Sequence, residues 1–451
     1  MITAALVGAV LVPAPAVMAR ERVLTFYSPR IHSEPYVHDT HHVFLRPNGR
    51  QAPSYPGYIT GFKEQVLVDS KDPDAKPLPN SKMMIHHFLY WARNRVDQLP
   101  GSCWGRSGFI AGRGEEHPSG KFSAYTPPAA RRVYGINNRT PDGSAPTWAL
   151  TAMVMNHYKR PKDFYVRTRI YYTTEQRRSV SPIVVGNCAR TLNGMAYDVP
   201  GGGRHGSNFL ERSTWRAPFS GRILMAHSHH HGGAKYHRLR SLSCNRTLFK
   251  ARAYYGTRRH IYNTIRPILH EPGPVGNGAY GSMEGIPFRK GEVFGRRAVH
   301  DNSNLHVAAM GFWVLNVIPD NSVDRCEPLP KDITQLGKPR SFTRRPNYGL
   351  DVPQLYKPRG VFRAFTGGPL IVGDQFYPSK VSVPAGQVVT WRFSGRRAHS
   401  VTVANGPRGF SSLYTGLPRG FSYSYRPRVR GTYRLTCLIH PTTMGQTLRV
   451  K

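Results

Sequence analysis

The chain has 451 residues, too many for one hydrophobic core and enough for two or three domains. Its 63 Lys and Arg stand against 25 Asp and Glu, a formal net charge of +38. The basic residues are spread along the chain, with no zinc-finger spacing and no RNA-binding signature, so a specific nucleic-acid role is not supported. Such a charge implies either adhesion to polyanions such as cell-envelope polymers or a compositional bias of the source.

In chain order, residues 1–19 read as a secretory signal. Ala4 to Val12 is apolar but too short to span a bilayer, and Val17-Met18-Ala19 puts small residues at minus three and minus one of a cleavage site. No Lys or Arg precedes Arg20. Export to a secreted or cell-envelope location is the expectation.

Beyond residue 19, short alternating runs between Gly and Pro turns replace any helical periodicity, which predicts all-β sandwiches. The first block, 20–175, carries Met83-Met84-Ile85-His86-His87-Phe88 and later Met155-Asn156-His157-Tyr158. Neighbours on a regular strand point to opposite faces, so His86 and His87 need a twist or bulge to act together, with His157 as a third nitrogen. The group His38, His41 and His42 has no evident role. The second block, 176–319, carries Met225-Ala226-His227-Ser228-His229-His230-His231-Gly232-Gly233, then His300 to His306 and Met310-Gly311. His227 and His229 share a strand face, and Met310 would add a soft ligand. Such a set favours copper, thioether holding the cuprous state. His230, His231 and His237 would line the cleft. Residues 320–365 are polar, rich in Pro and Arg, and read as a linker.

The third block, 366–451, alternates in short strands and contains Cys437-Leu438-Ile439-His440-Pro441-Thr442-Thr443-Met444. A thiolate, two imidazoles and a distant thioether make a trigonal site with a weak axial ligand, suited to both copper oxidation states. The remaining imidazole is His399. This block holds twelve Lys and Arg against the single acid Asp374, a net of +11. Cys437 being claimed by copper, Cys103, Cys188, Cys244 and Cys326 remain for two disulfides in any of three pairings.

At His399, Cys437, His440 and Met444 the chain resembles the plastocyanin, pseudoazurin and amicyanin family. That implies a cupredoxin Greek-key β-sandwich with one type 1 copper. At His86, His87, His157, His227, His229 and Met310 it resembles the copper type II ascorbate-dependent monooxygenases, the peptidylglycine and dopamine hydroxylase family. The stretch Ala226 to Gly233, with Asp301-Asn302 through His306 to Met310-Gly311, resembles a plant stress-induced nodulin-19-like group. These resemblances imply two tandem jelly-roll-like β-sandwich domains. They also imply an electron-transfer copper at His86, His87 and His157 and an oxygen-activating, catalytic copper at His227, His229 and Met310. The family's substrate-gripping Arg is Met225 here, and its Tyr four residues beyond the ligand Met is Val314, which argues against a peptidylglycine substrate. Two expectations follow. One is a monooxygenase-like enzyme fed by a tethered blue copper and by a redox partner or small reductant. The other is a non-catalytic copper-binding, buffering or electron-carrier protein.

Overall fold

Alternation sets the local structure. In the strand Lys162–Thr173, Phe164, Val166, Ile170 and Tyr172 are buried on one face, as the two-residue period of a strand requires. The computed structural model describes residues 21–105, 108–115, 130–188, 195–343, 354–413 and 415–451. The expected leader at 1–19 lies outside the described residues. Among the described residues, the only α-helix is Ile261–Thr264 and one 3-10 turn spans Ala130–Arg132; the rest is strand, turn and loop. The fold is all-β, as expected from the pattern. No described helix is long and apolar enough to cross a membrane.

The first sandwich packs two sheets. One is built on Arg22–Tyr27, Lys162–Thr173, Tyr58–Val68 and Tyr134–Asn137; the other orders His38–Leu45, Trp148–Asn156, Met83–Ala92 and Phe109–Gly114. Their shared core includes Phe26, Phe62, Phe88 and Trp148. Arg178–Ser179 pairs with Tyr134–Asn137, so hydrogen bonding of this sheet runs past residue 175.

The second sandwich has a five-stranded sheet ordered Ser181–Val185, Gly311–Pro319, Gly221–His230, Ala279–Phe288 and Thr334–Leu336. It faces another built on Asn208–Arg216, Val293–Asp301, Ala234–Ser241 and Arg246–Tyr254. Thr334–Leu336 falls within the segment expected to link domains. The third sandwich is mixed: Lys380–Val383 runs parallel to Gly445–Val450, and Leu370–Val372 parallel to Val389–Phe393. Its core centres on Trp391, whose Nε1–H donates to Gln446 Oε1 at 2.8 Å.

The sandwiches are joined closely. Met225 and Ala279 of the second belong to the core of the first. Of the three possible cysteine pairings the structure has Cys103–Cys188, which crosses between these two sandwiches, and Cys244–Cys326. Cys437 is free and buried. The third sandwich docks through Ser411, whose N–H and hydroxyl donate to Asp198 at 2.8 and 2.7 Å.

Inside the second sandwich, His237 stacks on Trp313 and, with His300, is fully enclosed. Burial pushes both well below the ordinary histidine value of 6.5, so both are neutral at neutral pH. An unfolded chain protonates them near 6.5, whereas the folded one does so only well below. Between those limits the unfolded state binds more protons, so folding stability is full above about pH 6.5 and declines as pH falls. The melting temperature of metal-free protein should therefore drop between pH 7.5 and 5, and His237→Phe should flatten that slope. Scanning calorimetry that found the same slope in both proteins would contradict this.

Candidate metal centres

In the third sandwich, Cys437 directly follows the strand Gly431–Thr436, and a tight turn comes next. The N–H groups of Thr443 and Met444 both donate to the His440 carbonyl, at 3.2 and 3.0 Å. His399 comes from across the sheet, fixed by reciprocal backbone bonds with Leu417 at 3.1 and 2.7 Å. The two imidazoles turn their Nδ1 atoms to the sulfur. Cys437 Sγ lies 3.9 Å from His399 Nδ1 and 3.7 Å from His440 Nδ1. An ion bound trigonally at about 2.3 Å from sulfur and about 2.0 Å from nitrogen separates those ligands by about 3.7 Å. The spacing thus fits ligands around an ion. A Cβ on Gly395 would sit 2.6 Å from His399 Nε2, so only glycine leaves room for the ring.

Burial pushes the Cys437 thiol up, partly offset by the Ser400 N–H donating to Sγ at 3.3 Å. Burial pushes His440 down to about 4, aided by His399. Neutral imidazoles and a thiol that ionises only beside a cation suit a metal. Met444 is buried in the same core cluster as Cys437.

The second grouping lies between the first two sandwiches. In Met83–Ala92, Met83, Ile85, Phe88 and Tyr90 face the core of the first sandwich. The parity changes at a register shift between Ile85 and His87. His86 and His87 therefore both face outward, ring centroids 4.1 Å apart. Opposite them runs Gly221–His230. Its odd positions face the first sandwich, beginning with Met225, while Ala226 lies in the second sandwich's core. His229 Nε2 approaches His87 Nε2 to 2.9 Å. His231 continues the row, and His270 enters from the loop after Ile261–Thr264. One ligand atom from each of His86, His231 and His270 lies within 4.8 Å of the others, and the same holds for His87, His229 and His231. His38 meets His86 and His270 edge-on, with centroids at 4.8 and 5.2 Å. Burial, reinforced by the neighbouring imidazoles, pushes His86 and His231 well below the ordinary range.

Other expected ligands are placed differently. His157 sits at the end of Trp148–Asn156, its N–H on Lys82 O at 2.8 Å, and joins neither histidine group. Burial, with Lys82 nearby, pushes it down to about 4. His227 shares the strand face of His229, two residues away. Met310 is buried against Phe109 and Phe312, and its carbonyl accepts from the His231 N–H at 3.4 Å. His41 lies 3.8 Å from Asp39, and His42 Nδ1 pairs with Thr151 Oγ1 at 3.0 Å. Strand parity from His229 would have singled out His231. No sequence signal marks His270 or Glu115, which arrive from separate loops.

No family model and no curated protein matches the chain. Solved structures that it resembles include a purple cupredoxin from Nitrosopumilus maritimus, 21% identical over 17% of this chain and 81% of that one, with a TM-score of 0.16. A mutant plastocyanin of fern is 24% identical over 19% of this chain and all of its own, TM-score 0.17. Auracyanin A from Chloroflexus aurantiacus is 18% identical over 19% and 100%, TM-score 0.16.

Ala308 aims its carbonyl at His231 Nδ1, 2.8 Å away, from a backbone with φ of 54°, a region disfavoured for branched side chains. Ala308→Val should cost about 1–3 kcal/mol, while Ala308→Gly should be neutral or stabilising. Equilibrium denaturation of both variants checks this; equal stabilities would refute it.

Proposed function

We propose that the chain is an extracytoplasmic copper-binding redox protein. Its third sandwich holds one type 1 copper through His399, Cys437, His440 and, axially, Met444. The histidines between the first two sandwiches take up further copper. The supporting observation is the pair of sulfur–nitrogen separations, 3.9 and 3.7 Å, at a buried thiol facing two neutral imidazoles. Copper so held would exchange one electron with little rearrangement. The protein's part is to keep the ligands at that spacing in both states. The Leu417 bonds hold His399, the turn at 440–444 holds His440, and the Ser400 N–H stabilises the thiolate.

The charge supports an anionic partner. The third block, with twelve basic residues and Asp374, would steer an acidic redox partner or a small anionic reductant such as ascorbate. A groove on the second sandwich, lined by Arg212, Arg238, Arg240 and Arg297, suits anionic cell-envelope polymers. Two disulfides fit an oxidising compartment.

The finer reading is a monooxygenase-like enzyme, with His227, His229 and Met310 binding the oxygen-activating copper and His86, His87 and His157 its electron-donating partner. The burial of His87 and His229 on facing strands supports metal uptake. The 2.9 Å between their Nε2 atoms brings one imidazole of each expected set into direct contact rather than holding the two sets apart, which favours the second reading, copper binding without turnover.

Copper-loaded protein should show an intense thiolate-to-copper absorption and a type 1 EPR signal, both abolished in Cys437→Ser. Met444→Gln should lower the reduction potential and Met444→Leu raise it, because a stronger axial ligand favours Cu(II). Absence of the thiolate band would sink the type 1 reading. Dioxygen uptake with ascorbate and copper-loaded protein separates the enzyme from the binding protein.

A further inference from the structure

Three imidazoles at the seam of the first two sandwiches have one ring nitrogen already engaged. His86 Nδ1 lies 3.0 Å from Glu115 Oε1, His231 Nδ1 lies 2.8 Å from Ala308 O, and His270 Nδ1 lies 2.7 Å from Glu271 O. A carboxylate and two carbonyls only accept, so each Nδ1 carries the proton and each Nε2 presents a lone pair. The Nε2 atoms of His86 and His231 are buried without a hydrogen-bond partner. This is the arrangement that metal-bound histidines take, a second-shell acceptor fixing tautomer and ring angle. Glu115 is itself held: its Oε2 accepts from the Gly273 N–H at 2.9 Å, in space a side chain at 273 would fill.

We propose that His86, His231 and His270 form one three-imidazole copper centre, shared between the first two sandwiches and complete only when they are docked. Its ligand set differs from both sets expected from sequence. It shares only His86 with them and leaves out His87, His157, His227, His229 and Met310. It does not depend on the blue site, which allows a separate test. In a Cys437→Ala background, dialysed free of metal and titrated with Cu(II), one equivalent should bind with a type 2 EPR signal split by three nitrogens. His270→Ala and His231→Ala should each remove that equivalent, and His157→Ala should not. Glu115→Gln should weaken binding by about 10-fold or more. Nitrogen counting needs no ligand variant, so misfolding of a variant leaves the test intact. A Cys437→Ala protein that binds no copper, or that loses it with His157→Ala and keeps it with His270→Ala, would overturn the proposal.

A different contact joins this centre to the third sandwich. The His38 N–H donates to the Ile439 carbonyl at 3.3 Å, one residue from His440, and the His38 ring abuts His86 and His270. We infer that this is an electron path, an inference resting on the type 1 reading above. With both sites loaded, one electron would pass from Cu(I) held by His399, Cys437 and His440 to Cu(II) held by His86, His231 and His270, with no proton required. Stopped-flow mixing of fully loaded protein with substoichiometric ascorbate, without oxygen, should bleach the blue band. The band should then recover in a first-order phase independent of protein concentration. His38→Pro removes the donor from an edge strand and should slow recovery at least 10-fold. His270→Ala should abolish it. Recovery that scales with protein concentration, or that is unchanged in both variants, would overturn the path. A missing blue band would instead indict the type 1 reading.

Discussion

A register shift of one residue between Ile85 and His87 governs the middle of this molecule. Without it, strand parity would send one of the two histidines into an apolar core beside Phe88 and Tyr90. An imidazole there would have no acceptor, and an unsatisfied buried polar group costs about 1–3 kcal/mol. The shift keeps both cores apolar and puts two adjacent imidazoles on the outer face. Bulges commonly re-aim side chains at functional sites in this way. The row at 225, 227, 229 and 231 then needs no irregularity at its histidine end, because alternation alone turns it toward the first sandwich.

Crowding several imidazoles into one buried volume has an electrostatic consequence. Burial makes each ring costly to protonate, and a protonated neighbour would add to that cost, so His86 and His231 are held neutral. Neutral rings are donors of lone pairs. Two acids answer them, Glu115 on His86 and Glu271 on His306 at 2.6 Å. Gly233, with φ of 71°, passes so close to the His306 ring that no side chain fits there. The His-Gly-Gly stretch is thus a clearance for this second pair as much as a turn.

The third sandwich is bound to the same place. Asp198 takes two hydrogen bonds from Ser411 and one from the Ala308 N–H at 3.0 Å, while the Ala308 carbonyl orients His231. Docking of the last domain and orientation of a histidine in the seam therefore share one carboxylate. Burial raises the Asp198 carboxyl, and the donors from Ser411 and Ala308 work against that.

The grouping of His399, Cys437 and His440 was legible because two of the three lie in one loop and their chemistry is specific. The all-β architecture was legible because a period of two in burial writes itself into the residue order. His86, His87 and His229 were also visible as histidine runs on strands. Which of these share a centre was not, because that depends on how the two sandwiches meet. Glu115 reaches His86 from the end of the neighbouring strand of the same sheet, but His231 and His270 come from different elements of the second sandwich, and only docking brings them within reach of His86. The same holds for His38 and Ile439, some 400 residues apart in the chain and joined by one backbone hydrogen bond. Local periodicity determines strands and short-loop ligands; the packing of one finished sandwich on another decides everything that spans the seam.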